Sequence, residues 1–321
     1  MLTPAFRRWW VPPFMNWIPA WVPPNFITLA SSACLWVALG LVATRHVWSP
    51  VTLGLALAVL SHGYLVYDQV DGMHAKKTGA SSALGEFLDH YLDTYHGAIL
   101  IVALFALFDF AHPTLALVIL WSSHLAFAAT MLEERERKEL VLGALGSLEA
   151  VLLFTAFFLS WLSPAARAWW SAPLLGGWPA YAWLVGIGGL GSMFAAGECL
   201  WRIGRVPVEF AVFAVGSFAL TLWVGSTPLP FAWAAAIVVL FCSDYTGRVI
   251  GSHLLGRPAP WPDWPALGFL ALAVVAGASY ARMSGGALVV WLAFRTSWIS
   301  VETFLALRSD WRWANATPRL S

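Results

Sequence analysis

Residues 67–97 read YDQVDGMHAKKTGASSALGEFLDHYLDTYHG and lie between two long apolar runs. Their aspartates form two pairs, Asp68 with Asp71 and Asp89 with Asp93. Spacings of three and four residues place the members of each pair on one face of a helix. Carboxylates at the ends of adjacent apolar helices repel one another and are costly to remove from water. The stretch therefore predicts two helices whose polar ends meet around bound cations.

The chain around this stretch is strongly apolar. Hydrophobic residues make up 60% of its 321 residues and charged residues 11%, whereas soluble domains contain roughly 45–50% and about 25%. A water-soluble protein of this size would need far more charge on its surface. The 21 tryptophans and 20 phenylalanines are typical of aromatic side chains at two membrane–water interfaces. The composition predicts an all-α polytopic membrane protein.

Charge and cysteine content argue against two other classes of protein. The formal net charge of +1 provides no basic patch for a phosphate backbone, so no nucleic-acid partner is expected. The cysteines Cys34, Cys199 and Cys242 lie in apolar stretches without CxxC spacing. Neither a disulfide framework nor a zinc site is therefore indicated.

Apolar windows of about 20 residues, the length of a membrane-spanning helix, occur ten times. They lie near residues 27–46, 49–67, 83–108, 113–132, 140–162, 180–201, 207–224, 228–247, 264–282 and 284–307. With both termini in the cytoplasm, most lysines and arginines fall in cytoplasmic segments, as membrane proteins favour. The outside segments then hold only Arg45, Arg167 and Arg282. We expect about ten transmembrane helices, with both termini cytoplasmic.

The first 26 residues form a separate segment. They contain six prolines and no apolar core of a cleavable signal peptide. The run FRRWWVPP at 6–13 mixes arginine with tryptophan, which is typical of a segment that lies in the membrane interface. A disordered tail is the alternative interpretation.

The four aspartates suit hard divalent cations, which bind oxygen ligands and bridge carboxylates to substrate phosphates. Two Mg²⁺ ions, or Mn²⁺ in their place, would stabilise the attacking and leaving oxygens of a phosphoryl transfer. Gly72 and Gly85 would let a ligand approach the backbone closely, and Lys76 supplies positive charge for a phosphate. The alternative, simple ion pairs in a cytoplasmic loop, explains the lysines but not the spacing of the acids.

The spacing of this stretch resembles the motif of the CDP-alcohol phosphotransferase family, DGxxAR followed by GxxxDxxxD. Its positions in this sequence are Asp68, Asp71, Gly72, Ala75, Lys76, Gly85, Asp89 and Asp93. Lys76 replaces the arginine of the motif, and lysine cannot hold phosphate in a bidentate fork. The resemblance implies a membrane enzyme in which the four aspartates bind two metal ions that hold a pyrophosphate.

The surrounding sequence resembles the choline/ethanolamine phosphotransferase branch of that family. TGASSALGEFLDH at 78–90 is similar to that branch, as is WIPAWVPPNFITLASS at 17–32. The specific match covers residues 17–97, and the expected number of helices agrees with this branch. The resemblance implies transfer of phosphocholine or phosphoethanolamine from CDP-choline or CDP-ethanolamine to the hydroxyl of diacylglycerol, with release of CMP.

Within this reading, His90 is the expected general base and Glu86, four residues before it, would orient the ring. Asp93 is the alternative base, since the last aspartate of the motif usually receives that role in the wider family. The resemblance also makes Asn25 and Gly72, together with Lys76 and Gly85, candidates for binding the CDP-alcohol.

Two other functions stay open. A CDP-diacylglycerol-dependent phosphatidyltransferase acting on a small polar alcohol would share the metal site. An ion-coupled transporter would also have buried acids, but the sequence shows no second acidic cluster and no pair of broken helices at the midplane.

The expected domains are an interfacial segment at 1–26, a catalytic transmembrane core at 27–224 and additional transmembrane helices at 225–321. We expect an active site facing the cytoplasm, and arginine and tryptophan usage favours a bacterial inner membrane over the endoplasmic reticulum. A homodimer is a candidate assembly. Ion pairs are expected between Glu198 and Arg202 and between Asp244 and Arg248, each four residues apart.

Overall fold

The computed structural model describes residues 3–141, 146–277 and 280–308. Across these ranges the chain forms α-helices and short 3₁₀ turns, with a single isolated bridge between Pro173 and Pro179 instead of a sheet. The α-helices are α1 (Thr3–Trp9), α2 (Val11–Trp17), α3 (Pro24–Ala43), α4 (Pro50–Thr78), α5 (Ala83–Ala106), α6 (Pro113–Arg137), α7 (Ser147–Ser160), α8 (Pro164–Ser171), α9 (Ala180–Ile203), α10 (Val208–Ser226), α11 (Phe231–Leu254), α12 (Trp264–Ala276) and α13 (Ala281–Leu307). The expected all-α architecture is confirmed for the described residues.

Membrane-spanning character is confirmed, but the number of spans is not. Within the described ranges, seven helices are long and apolar enough to cross a membrane: α3, α4, α6, α9, α10, α11 and α13. An eighth span results if α7 and α8, which are bent by 114°, count as one. Each of the ten apolar windows contains a helix, but α12 has only 13 residues and the first half of α5 carries acids. Ten spans and cytoplasmic termini therefore stay predictions, and the C-terminal tail after residue 308 lies outside the described residues.

The described helices fall into two compact units. The first unit contains α1–α5, α7 and α8, and the second contains α6 and α9–α13. The division expected from the sequence, at 26/27 and 224/225, stays a prediction.

In the first unit, α4 packs against α2, α3 and α7, and α3 also packs against α5. The hydroxyl of Ser49 accepts a hydrogen bond from Thr52 N (3.0 Å) and caps the start of α4. This helix ends at Gly79, whose φ of +66° lies in the left-handed region that glycine adopts without strain. Ser82 then caps α5 by accepting from Gly85 N (3.1 Å). The short turn between the two caps brings the acidic end of α4 next to the acidic start of α5.

In the second unit, α11 is the most buried span and packs against α6 and α10. Phe213 of α10 stacks on Tyr245 of α11, with ring centroids 4.1 Å apart. Polar side chains near the ends of these helices are paired with one another, which is how membrane helices accommodate charge.

Both expected ion pairs are confirmed in the second unit. Arg202 Nη1 lies 2.8 Å from Glu198 Oε1, and Arg248 pairs with Asp244. Arg202 also donates two hydrogen bonds to Glu133 of α6, from Nε to Oε1 (2.6 Å) and from Nη2 to Oε2 (2.8 Å). The side chain of Glu133 is only 1% exposed, so this bidentate pair is what allows its charge to be buried.

Candidate active site

Three of the four motif aspartates meet in the first unit. Asp68 of α4 and Asp89 and Asp93 of α5 each offer a carboxylate oxygen, and these oxygens lie within 4.8 Å of one another. All three side chains are half-buried. Three ionised carboxylates at this distance repel one another strongly when they are partly desolvated. The arrangement is therefore suited to hold a cation between the oxygens, and metal binding by these three residues stays a prediction.

Asp71 is held differently from the other three aspartates. It is 4% exposed; its Oδ2 accepts a hydrogen bond from Thr28 Oγ1 (2.7 Å) and its Oδ1 accepts one from Gly72 N (2.5 Å). Both oxygens thus have protein donors, although each carboxylate oxygen retains a second lone pair. Asp71 links α4 to α3, and its role as a metal ligand stays a prediction.

Asp93 is fixed by two donors that the sequence analysis did not identify. Its Oδ1 accepts from Tyr64 OH (3.0 Å) and is 3.0 Å from His96 Nδ1. The other ring nitrogen of His96 is 2.8 Å from Ser32 Oγ, which also accepts from Trp36 Nε1 (3.2 Å). With a neutral ring, all these groups are satisfied when the Ser32 hydroxyl donates to Nε2 and Nδ1–H donates to Asp93. The chain of contacts orients the Asp93 carboxylate from α3 and α4.

Asp68 is oriented by its neighbour in sequence. Gln69 Nε2 donates to Asp68 Oδ2 (2.9 Å), and Gln69 Oε1 accepts from Arg7 Nε (2.8 Å). Neither Gln69 nor Arg7 belongs to the motif, and nothing in the spacing of the acids identifies them. They connect the metal-binding candidate to the N-terminal helix α1.

The proposed acid–base pair lies on the same helix as two of the clustered aspartates. A carboxylate oxygen of Glu86 and a ring nitrogen of His90 lie within 4.8 Å of one another. Glu86 is exposed and His90 half-buried. On a helix with 100° per residue, these two side chains share a face with Asp89 and Asp93. Their catalytic roles stay predictions.

The residues expected to bind the CDP-alcohol lie on both sides of the aspartates. Gly72 is exposed, and a Cβ atom placed on it would meet no other atom within 4 Å. Lys76 follows four residues later on α4 and is also exposed. Gly72 and Lys76 therefore border open space in which a phosphate could approach the helix.

Gly85 and Asn25 touch each other at the start of α5. A Cβ atom on Gly85 would lie 2.9 Å from Asn25 Oδ1 and 3.2 Å from Ser82 Oγ. Asn25, at the start of α3, is 9% exposed. The glycine is required here for close packing of Asn25 against the α5 cap. Substrate binding by Asn25 and Gly85 stays a prediction.

A family model described as CDP-alcohol phosphatidyltransferase matches residues 21–188, which is more than half of the chain. The chain belongs to the CDP-alcohol phosphatidyltransferase family. The match includes α3, α4 and α5 with all the clustered aspartates, and it confirms the resemblance inferred from the motif. The protein is therefore an integral membrane transferase of this family.

Curated relatives in the family carry different names. The chain is 31% identical over 147 residues to a CDP-diacylglycerol–serine O-phosphatidyltransferase of Encephalitozoon cuniculi, covering 43% of this chain and 38% of that protein. It is 35% identical over 97 residues to choline/ethanolaminephosphotransferase 2 of Arabidopsis thaliana, covering 29% and 24%. It is 29% identical over 110 residues to ethanolaminephosphotransferase 1 of Mus musculus, covering 30% and 28%. The matches thus span between about a quarter and two fifths of these relatives.

The family is known to use divalent metal ions, and the residues present fit such an ion. Asp68, Asp89 and Asp93 supply only oxygen ligands, which is the donor set that Mg²⁺ and Mn²⁺ prefer. The carboxylates converge from two helices rather than lying dispersed on one surface. Among the described residues of the first unit, they are the group best placed to hold a metal.

Proposed function

We propose that this protein transfers phosphocholine or phosphoethanolamine from CDP-choline or CDP-ethanolamine to the hydroxyl of diacylglycerol. The observation that carries the proposal is the Glu86–His90 pair, which lies on the same helix as Asp89 and Asp93 of the carboxylate cluster. Such an arrangement provides a proton acceptor beside a site for a pyrophosphate. The names of the plant and mouse relatives support the choline and ethanolamine substrates.

In this proposal Asp68, Asp71, Asp89 and Asp93 would hold two Mg²⁺ ions, for which Mn²⁺ can substitute. When bound, such ions neutralise charge on the pyrophosphate of the CDP-alcohol. Lys76 adds a positive charge one turn after Gly72, beside the open space at that glycine. Its ammonium would act as a point charge on a phosphate oxygen. Asn25 and Gly85 would shape the edge of the site where α3 meets α5.

In the proposed chemical step, the hydroxyl of diacylglycerol displaces CMP from the CDP-alcohol. The acceptor hydroxyl oxygen bonds to the phosphorus that bears the choline or ethanolamine. The bond from that phosphorus to the bridging oxygen of the pyrophosphate breaks, and CMP leaves. The hydroxyl proton passes to a ring nitrogen of His90, and the Glu86 carboxylate stabilises the resulting imidazolium.

We favour His90 over Asp93 as the base because of the contacts that Asp93 already makes. Oδ1 of Asp93 accepts hydrogen bonds from both Tyr64 and His96, so the lone pairs of that oxygen are occupied. In this proposal the other oxygen would be the one that binds a metal ion. Asp93 is therefore better placed as a ligand, and His90, four residues after the exposed Glu86 on α5, is the better candidate for the base.

A second candidate function rests on the relative from Encephalitozoon cuniculi, whose name specifies CDP-diacylglycerol and serine. In that reaction the lipid is part of the donor, and the small alcohol is the acceptor. The same carboxylates and the same base would serve either reaction. The two functions differ in which substrate carries the diacylglycerol.

The experiment that separates them uses the purified protein in lipid nanodiscs with Mg²⁺. One arm contains diacylglycerol with radiolabelled CDP-choline or CDP-ethanolamine, and the other contains CDP-diacylglycerol with radiolabelled serine or another small alcohol. We expect labelled phospholipid and an equal amount of CMP in the first arm only. Product in the second arm alone would replace the proposed function with that of a phosphatidyltransferase.

We further propose that the site faces the cytoplasm of a bacterial inner membrane and that the protein is a homodimer. The cytoplasmic side is supported by the distribution of lysine and arginine. A single cysteine introduced near Lys77 should react with a membrane-impermeant maleimide only after the cells are opened. Labelling of intact cells at that position would contradict the cytoplasmic site. The dimer would be tested separately, by measuring the mass of the purified protein particle without detergent.

A further inference from the structure

The two N-terminal helices, α1 and α2, dock onto one face of α4. Val11 packs with Val66 and Val70 in a small apolar core. Trp10 Nε1 donates to His62 Nε2 (2.9 Å), and Arg7 Nε donates to Gln69 Oε1 (2.8 Å). The contacted residues of α4 recur at helical spacing, so the N-terminal helices follow a single stripe along α4.

Gln69 connects the N-terminal helices to the carboxylate cluster. Its side-chain amide contacts the guanidinium of Arg7 on one side and the carboxylate of Asp68 on the other. Arginine can only donate and an ionised carboxylate can only accept. The amide must therefore point its oxygen toward Arg7 and its NH₂ toward Asp68. Adjacent residues of a helix do not normally face each other, so the amide bends around α4 to make both contacts.

We propose that Arg7 and Gln69 are positioning residues for Asp68. Gln69, which is 7% exposed, holds Oδ2 of Asp68, and Arg7 holds the Gln69 amide in the orientation that this contact requires. The N-terminal helices thereby fix one carboxylate of the cluster. This inference rests on the proposed role of Asp68 as a metal ligand.

We expect Arg7 to influence Asp68 only through Gln69. Replacing Gln69 by methionine, which has similar length but no amide, frees the Asp68 side chain to rotate. Loss of a hydrogen bond to a charged group corresponds to about a tenfold change in an equilibrium constant. Replacing Arg7 by methionine should have a smaller effect of about threefold, because Gln69 still donates to Asp68 in part of the population.

The test is direct Mn²⁺ binding to the purified protein in nanodiscs without nucleotide, measured by the loss of the free Mn²⁺ EPR signal. We expect Gln69→Met to raise the Mn²⁺ dissociation constant about tenfold and Arg7→Met about threefold. The double variant should bind as Gln69→Met does, since coupled residues give non-additive effects. Arg7→Lys should recover most of the affinity, because lysine can also donate to the Gln69 oxygen.

Arg8→Met is the matched control, since Arg8 is exposed and lies over the ring of Trp9 (5.2 Å to its centroid). It removes the same charge from α1 and should leave Mn²⁺ affinity unchanged. The inference would be overturned if the effects of the two single substitutions multiplied in the double variant. It would also be overturned if Gln69→Met and Arg7→Met bound Mn²⁺ within twofold of wild type, even with a lowered melting temperature. Absence of Mn²⁺ binding in the wild type would overturn both it and the metal site. Normal Mn²⁺ binding without transfer from CDP-choline would contradict the proposed function alone.

Discussion

Nδ1 of His96 lies 3.0 Å from Oδ1 of Asp93, one turn further along α5. The same carboxylate oxygen accepts a hydrogen bond from Tyr64 of α4, and the His96 ring is buried edge-on against the Tyr64 ring, with centroids 4.7 Å apart. A carboxylate held from two sides has little freedom to rotate. The Asp93 carboxylate is therefore held in a fixed orientation beside Asp68 and Asp89.

Removal of one of the two hydrogen-bond donors to Asp93 should lower the activity of the site without unfolding the protein. Tyr64→Phe keeps the ring contact with His96 and removes only the hydroxyl. A hydrogen bond to a charged group contributes about 1.5–3 kcal/mol, so we expect kcat/KM to fall roughly ten- to hundredfold. Tyr67→Phe, which changes an exposed ring on the same helix, is the control and should retain full activity. Equal activity in the two variants would show that the Tyr64 hydroxyl does not position Asp93.

Metal dependence follows from the convergence of Asp68, Asp89 and Asp93. EDTA should abolish CMP release, and Mg²⁺ or Mn²⁺ should restore it. Asp89→Asn should lose nearly all activity while the protein still inserts and purifies normally. Asp109→Asn is the matched control, because Asp109 is 81% exposed and pairs with Arg45 away from the cluster. Full CMP release in EDTA would eliminate a metal-dependent mechanism.

The assignment of the base predicts different losses for three variants. His90→Ala should slow single-turnover transfer by about 10²–10⁴-fold, the typical contribution of a general base, while CDP-choline still binds. Glu86→Gln should give a smaller loss because it removes only the orienting charge. Asp93→Asn should mainly weaken metal or CDP-choline binding.

The control for this series is His46→Ala, at an exposed histidine before α4, and it should leave transfer unchanged. Near-normal turnover in His90→Ala, together with intact metal binding and no turnover in Asp93→Asn, would assign the base to Asp93 instead.

The close approach of Gly85 to Asn25 predicts that a larger residue at position 85 would destabilise the protein. A methyl group at Gly85 would lie 2.9 Å from Asn25 Oδ1, so Gly85→Ala must displace Asn25 or the start of α5. Overpacking of this kind costs about 1–3 kcal/mol, and we expect a lower melting temperature and reduced activity. Gly40→Ala, at an exposed helical position with no atom within 4 Å, should be neutral or slightly stabilising. Identical thermal stability of the two variants would contradict the packing role.

The sequence predicted the acidic faces of α4 and α5, because helical spacing places Asp68 beside Asp71 and Asp89 beside Asp93. It could not predict that Asp71 would be satisfied by Thr28, since that contact depends on how α3 packs against α4. Ser32 and His96 are likewise 64 residues apart and meet only in the folded first unit. His96 lies at helical spacing from Asp93, and Tyr64 lies at helical spacing from Asp68. This spacing could have identified both residues as neighbours of the acidic faces.

The apolar windows predicted where the helices lie but not how many of them cross the membrane. Hydropathy identifies α3 and α11 readily, whereas α5 combines an acidic first half with an apolar second half. Nor did the sequence show that Glu133 is buried, because its partner Arg202 is 69 residues away. Local patterns therefore determined the elements, and contacts between helices determined which charges are buried.

Transfer of the phosphorus atom that bears choline distinguishes the proposed reaction from hydrolysis of CDP-choline. CDP-choline labelled with ³²P on the phosphate next to choline is incubated with the nanodisc-embedded protein, Mg²⁺ and diacylglycerol. We expect the label to move into the lipid fraction in an amount equal to the CMP formed, and the CMP itself to be unlabelled. Label that stays in the aqueous phase as phosphocholine or in the nucleotide, with no labelled lipid, would contradict the proposed reaction.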